Sequence, residues 1–400
     1  MLEAASHAAP RRRLYLGGER YIAALDLLLV EGRQRVLIEG QSGGGKSALL
    51  ANWLDAHERA HPRDLIHVHY TGASADAADP HALVRRLCEA IKRATGSGEE
   101  IPGDPQKLME SFSLWLAYAS AFAAKEETRW IIVIDALNGL TDLGDLRWFP
   151  EFLPERVHLI ISCLPGAVME ALETKGDWSR REVEPLTSED RRELLRVYLA
   201  RYNKTLPGEL EARIFAHPLA DNPLFLRTLA EELRVFGVHE ELAARLDHYL
   251  MSATVDDLFE KVLERVEGDR GEEAVSSTME AIWASRAGLA EQEILGIAHL
   301  VPATWAPIRY ALDEALLESG GRIAFAHDYM RIAISDRYLS GNGRLADEGQ
   351  SEEALAARRS RHARLAEWFE ENWRTTDESA AEVSGPDQTE GRSEEHTSEL

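Results

Sequence analysis

Two patterns of apolar spacing divide the chain. Up to about Glu182, short apolar runs alternate with longer segments whose apolar residues recur at helical spacing. RQRVLIEG (33–40), DLIHVHY (64–70), RWIIVIDAL (129–137) and RVHLIIS (156–162) read as strands, the third apolar throughout its core. Helices are predicted from about Glu19, from Lys46 to about Ala60, over 80–93 and over roughly 106–125. The second gathers Leu49, Leu50 and Trp53 on one side, and Pro80 opens the third. TGSGEEIPGDP (95–105) is rich in Gly and Pro and predicts a loop. Strands apolar on both faces, alternating with helices, predict a parallel sheet covered on both sides.

Beyond Glu182 no convincing strand run follows, and helical periodicity takes over. SEDRRELLRVYLARYN (188–203) opens on Ser188 as its expected cap, with Leu194, Leu195 and Leu199 as its stripe. NPLFLRTLAEELRVF (222–236) is a second helix, with Pro223 near its start. Residues 252–339 read as a further, mostly helical unit. It contains one hairpin-like segment, ESGGRIAFAH (318–327), with Gly320-Gly321 at the turn. Short helices with a small hairpin predict a winged helix. A last helix is expected over about 353–373.

The domains expected from this are a flexible lead-in (1–12), an α/β domain (13–182), a helical domain (183–251) and a winged-helix-like domain (252–345). A helix within 346–374 then reads as the start of a repeat region, and 375–400 as a disordered acidic tail. No internal repeat is visible.

Charge narrows the function classes. The chain has 45 basic against 69 acidic residues, a net charge of −24. A protein that coats nucleic acid is usually basic, because phosphate neutralisation supplies most of its affinity. Nucleic acid is therefore not an expected partner. Two cysteines give neither a disulfide framework nor a zinc cluster. No run reaches the ~18 apolar residues of a membrane helix, and the N-terminus lacks a signal-peptide core. A reduced, cytoplasmic protein is expected.

The strongest chemical signal is GQSGGGKS (40–47), which fits G-x-x-x-x-G-K-[ST] completely. Gly40, Gln41, Ser42, Gly43, Gly44, Gly45, Lys46, Ser47 and Ala48 would wrap phosphates at the N-terminus of a helix. Lys46 would reach the β- and γ-phosphates, and Ser47 would ligate Mg²⁺. The Asp ending a buried apolar strand, Asp135 of IIVIDAL, is the second metal candidate. The cofactors expected are ATP or ADP and Mg²⁺, in an α/β P-loop NTPase domain. The spacing of the two motifs suggests another strand between theirs. After Asp135 come Ala136, Leu137, Asn138 and Gly139. Asn138 cannot act as a base, although its amide could position water. Asp142 and Asp145 read better as loop solvation.

With GQSGGGKS, IIVIDALNGL, HLIISCLPG and NPLFLRTLAEELRVFG in hand, the chain resembles the NACHT-type STAND ATPases. The likeness is nearest to bacterial proteins with a nephrocystin-like NTPase region, and it covers about 14–339. It implies a switch held closed by ADP and opened with ATP, with self-association on activation. It also implies that Pro223 packs near the adenine and that His327 touches the ADP β-phosphate. The residues alone leave Pro223 equally a first-turn helix proline and His327 equally a packed core histidine. Three positions depart from the family. Gly17-Gly18 stands where many relatives have Gly-Arg, Asn138 where an acidic residue is frequent, and Ser162-Cys163 where a strand often ends in a polar or Arg sensor.

STAND proteins usually carry an effector and a repeat array, so signalling partners are expected through terminal regions beyond this sequence. RSEEHTSEL (392–400) resembles a translated sequencing adaptor, and the natural chain is expected to continue past Glu371 into tetratricopeptide or propeller repeats. The first function expected is a signalling switch with slow Mg²⁺-dependent ATP hydrolysis. The alternatives are a AAA-type ATPase acting on nucleic acid and a nucleotide-gated scaffold without catalysis.

Overall fold

A computed structural model describes residues 17–71, 75–141, 146, 148–236, 241–340 and 352–383. Its first half is built on five strands: β1 (Arg35–Glu39), β2 (Leu65–Tyr70), β3 (Trp130–Asp135), β4 (Val157–Cys163) and β5 (Ser179–Glu182). They form one sheet in the order β2-β3-β4-β1-β5, with every pairing parallel. β3 and β4 lie inside the sheet and are buried at every residue. Their apolar residues divide by parity between the two faces. Ile131, Val133 and Ile160 pack with Leu25 and Leu28 of helix α1 (Glu19–Val30) and with Leu49, Leu50 and Trp53 of helix α2 (Lys46–Ala60). Trp130, Ile132, Ile134, Leu159 and Ile161 pack on the other face, against α3 (Pro80–Thr95) and α4 (Pro105–Lys125). Asp79 and Asp104 cap α3 and α4, each followed by a first-turn proline.

The sheet corrects the reading in one way. β5 was not expected. Its sequence SRRE has no apolar run, because it is an edge strand paired only to β1 with alternate residues exposed. A strand does stand between β1 and β3, as the spacing of the two motifs suggests; it is β4, which follows β3 in the chain.

After α5 (Ala167–Glu173) and β5, the chain is helical: α6 (Ser188–Ala200), α7 (Gly208–Ala216), α8 (Pro223–Val235), α9 (Leu242–Leu250), α10 (Val255–Arg270), α11 (Glu272–Ala284), α12 (Glu291–Ala298) and α13 (Pro302–Ala311). The antiparallel hairpin β6 (Leu316–Ser319) and β7 (Arg322–Phe325) turns at Gly320-Gly321, both with φ near +60 to +80° as a tight turn requires. Helix α14 (Asp328–Ile334) follows it, and α15 runs over Glu352–Val383, past the expected start of the acidic tail. The cap of α6 is Thr187 rather than Ser188. Its hydroxyl takes the Asp190 N–H while the Asp190 side chain takes the Thr187 N–H, a reciprocal box. One apolar cluster runs from Leu194 to Ile334, so α6 through α14 share a core.

Ion pairs pin that core. Glu232 of α8 is buried and held by Arg265 of α10, with Nε–Oε2 2.5 Å and Nη2–Oε1 2.9 Å. Tyr249 of α9 donates to the same carboxylate at 2.5 Å. Arg337 and Tyr338 likewise meet Glu267 of α10. Breaking a buried pair costs several kcal/mol because a charge is left unpaired. Arg265→Met is therefore expected to lower unfolding free energy by about 3–5 kcal/mol. Urea denaturation checks this, and a loss under about 1 kcal/mol would mean Glu232 finds water instead.

Candidate functional site

Parallel sheets bind ligands at the carboxyl ends of their strands, where the loops diverge. Here those ends open into a cleft of about 470 Å³, a size suited to a nucleotide-scale ligand. Its wall includes Ser42 to Ala48 after β1, Tyr70 and Thr71 at the end of β2, Asp135 and Asn138 at the end of β3, and Ser162 at the end of β4. Gly40 and Gln41 sit beside it and take the Lys46 ammonium, with Nζ 2.6 and 2.9 Å from their carbonyls. Burial lowers the Lys46 pKa from its ordinary value, while nearby Asp135 acts in the opposite direction. Cys163 adds no charge, because burial pushes its thiol up to about 11.

The phosphate loop has the backbone that anion binding needs. Gly43 and Gly45 have φ of 72° and 97°, and Gly45 leads into α2. Gly43 is also packed from outside. A Cβ there would lie 2.9 Å from Asn222 Oδ1 and 3.0 Å from Leu224 Cβ. Asn222 Nδ2 donates to the Ser42 carbonyl at 3.1 Å, and Leu224 N donates to Gly43 O at 3.3 Å. The Tyr329 hydroxyl of α14 reaches the same Ser42 carbonyl at 3.3 Å. The loop is therefore held by α8 and α14, which lie more than 170 residues along the chain. Sequence reading missed Asn222 and Tyr329 as loop-holding residues: Asn222 was read only as part of the NPLFLRTLAEELRVFG segment, and both bonds to Ser42 join segments far apart in the chain.

Asp135 is buried, and its Oδ1 accepts the Ser162 hydroxyl at 2.5 Å. Ser162 also receives the Ala136 N–H at 2.8 Å. Thr71 donates to the Asp135 and Ala136 carbonyls, so the ends of β2 and β4 fix the end of β3. A buried carboxylate and the Ser47 hydroxyl, both lining one cleft with Lys46, are the hard oxygen donors that Mg²⁺ takes alongside phosphates and water. Among the described residues no group of three or more His, Cys, Asp or Glu could hold a metal by itself. Asn138 Oδ1 accepts the Leu164 N–H at 3.1 Å, which ties its amide to the loop after β4. Asp142 and Asp145 lie outside the described residues.

Pro223 is both the first residue of α8 and part of the cleft wall. His327 precedes α14, is half-buried and lines the same cleft. Arg227 lines it too and pairs with Glu314, joining α8 to the turn before β6. Gly17, Gly18, Tyr21, Leu186 and Asp190 are also part of the wall, with the Tyr21 hydroxyl accepting the Glu184 N–H at 3.0 Å.

Residues 34–202 match the NACHT domain. A TPR repeat-containing protein of Dictyostelium discoideum is 28% identical over 347 residues, covering 76% of this chain and 21% of the relative. Telomerase protein component 1 of Rattus norvegicus is 27% identical, covering 79% and 12%. Nephrocystin-3 of Xenopus tropicalis is 25% identical, covering 65% and 20%. The chain thus spans about a fifth or less of these relatives' length. Among solved structures, a Walker-type ATPase of Pyrococcus abyssi has a TM-score of 0.41 at 14% identity, covering 80% of this chain and 96% of its own. A STAND protein with a tetratricopeptide repeat sensor from Pyrococcus horikoshii has a TM-score of 0.46 at 14% identity, covering 93% and 48%.

Asn222 gives a test of how the loop is held. Asn222→Ala removes the cap of α8 and the bond to Ser42, a loss of about 1 kcal/mol. Hydrogen exchange should quicken at residues 41–45 and in the first turn of α8, and stay slow in β4. Unchanged exchange at 41–45 would mean the loop keeps its shape without α8.

Proposed function

Because residues 34–202 are a NACHT-type P-loop ATPase module, we infer that this chain is a cytoplasmic nucleotide switch, closed with ADP and opened with ATP. The observation that carries this reading is the Ser42 carbonyl, held by Asn222 and by Tyr329 at once. A phosphate loop tied to both C-terminal helical elements couples the shape around the phosphates to their position. A ligand can shift such an equilibrium only by its differential affinity for the two states. The loss or gain of a γ-phosphate beside the loop supplies such a difference.

In this reading Lys46 binds the β- and γ-phosphates, and Ser47 with Asp135 holds Mg²⁺, which would neutralise phosphate charge. Ser162 orients Asp135. Asn138 offers no base, and its carbonyl oxygen already accepts the Leu164 N–H, which supports slow turnover. Pro223 flanks the base, and His327 lies within reach of the phosphates from the C-terminal side. Residues 252–345 act as the winged-helix-like arm of the switch. Opening exposes surfaces for self-association and for protein partners. The net charge of −24 counts against the nucleic-acid motor, and a scaffold without hydrolysis stays the second reading because of Asn138. No described helix is long and apolar enough to cross a membrane.

Lys46→Ala is expected to weaken ADP and ATP binding by about tenfold to a hundredfold, as loss of a charge-assisted bond implies. Calorimetric titration checks it, and unchanged binding would remove the loop from the site. Asp135→Asn should abolish the Mg²⁺-dependent part of ATP affinity; a wild type indifferent to Mg²⁺ would contradict the metal role. His327→Ala should speed ADP release while sparing ATP, as read by stopped-flow exchange. An equal effect on both nucleotides would make His327 a packing residue.

A further inference from the structure

Among the described residues, only one of the two Asp190 carboxylate oxygens has hydrogen-bond donors. Its Oδ2 accepts the Thr187 N–H at 3.1 Å and the Thr187 hydroxyl at 2.7 Å, which closes the box at the start of α6. Oδ1 takes no part in that box. It stands over Gly17, where a Cβ would lie only 2.6 Å from it. Gly17 has φ +71°, so this position requires glycine both for its backbone and for the carboxylate it accommodates. Asp190 and Gly17 line the cleft, in the wall that also holds Gly18, Leu186 and Pro223. With phosphates on the loop, this wall is left to meet the base.

We propose that Asp190 selects adenine, its Oδ1 accepting a hydrogen bond from the C6 amino group. This rests on the switch reading above. A carboxylate only accepts, so it favours an N–H donor on the base and disfavours an oxo group. Hypoxanthine presents an oxygen at C6 where adenine presents an amine. Guanine presents adjacent N1–H and N2–H donors, which call for both carboxylate oxygens. Here Oδ2 is committed to Thr187, so one acceptor remains, matching the single amino group of adenine. The box fixes the rotamer, so the acceptor is in place before a base arrives. A site built to hydrogen-bond a group disfavours the analogue without it, because the half-buried Asp190 acceptor then loses its partner.

The test uses the full chain and needs no variant for its first arm. ADP should bind about tenfold or more tightly than the diphosphate of purine riboside, which lacks only the C6 amine. Equal affinities overturn the proposal. In the second arm, Asp190→Asn keeps an oxygen for Thr187 and turns an amide N–H₂ toward the base. The ratio of ADP to IDP affinity should fall by about tenfold or more, with IDP binding improved. An unchanged ratio in a variant that retains its circular dichroism overturns the assignment. GDP binding as tightly as ADP to the wild type overturns the choice of adenine. A wild type that binds neither ADP nor ATP overturns the switch reading, and this inference with it.

Discussion

The carbonyl of Ser42 is where the two halves of this molecule meet. It belongs to the glycine-rich loop between β1 and α2, and it accepts hydrogen bonds from Asn222 at the head of α8 and from Tyr329 in α14. The neighbouring Gly43 is seated so tightly under Asn222 and Leu224 that no side chain fits. A phosphate loop usually needs glycine only for its own φ values and for close approach of the ligand. Here one glycine also serves a contact between distant segments. Any change in the loop is felt by α8 directly, and by the rest of the helical half through the core that α6 to α14 share.

The opposite wall of the cleft is built for rigidity rather than for proton transfer. Thr71, Asp135 and Ser162 stand at the ends of three adjacent strands; Thr71 holds the Asp135 main-chain carbonyl and Ser162 holds its carboxylate. Ala136 pays for this geometry with a left-handed φ of 58°. Among the described residues, 136–141, directly after Asp135, carry no carboxylate to activate water. Asn138 has its carbonyl oxygen on the Leu164 N–H instead.

Much of this was legible in the residues because it follows from local pattern. The apolar runs of β1, β3 and β4 are buried on both faces, so their sequences carry no competing signal. The phosphate loop and Asp135 are read from spacing alone, as is the Gly320-Gly321 turn. β5 was not legible: an edge strand of sequence SRRE is held by backbone bonds to β1, and nothing in its side chains records that. Thr187 was passed over for Ser188, since either residue can cap and only the partner Asp190 decides between them. Asn222, Tyr329 and Asp190 were missed as site residues because their roles arise from contacts between segments far apart in the chain. A strand between β1 and β3 was expected from the spacing of their motifs, but that it is β4 was fixed by the sheet as a whole.

The nucleotide that stays bound through purification tests the switch most directly. Released by denaturation and identified by chromatography, it is expected to be ADP, in stoichiometric amount. A protein that purifies empty, or that exchanges its nucleotide as fast as solutions can be mixed, would contradict a closed state held by ADP.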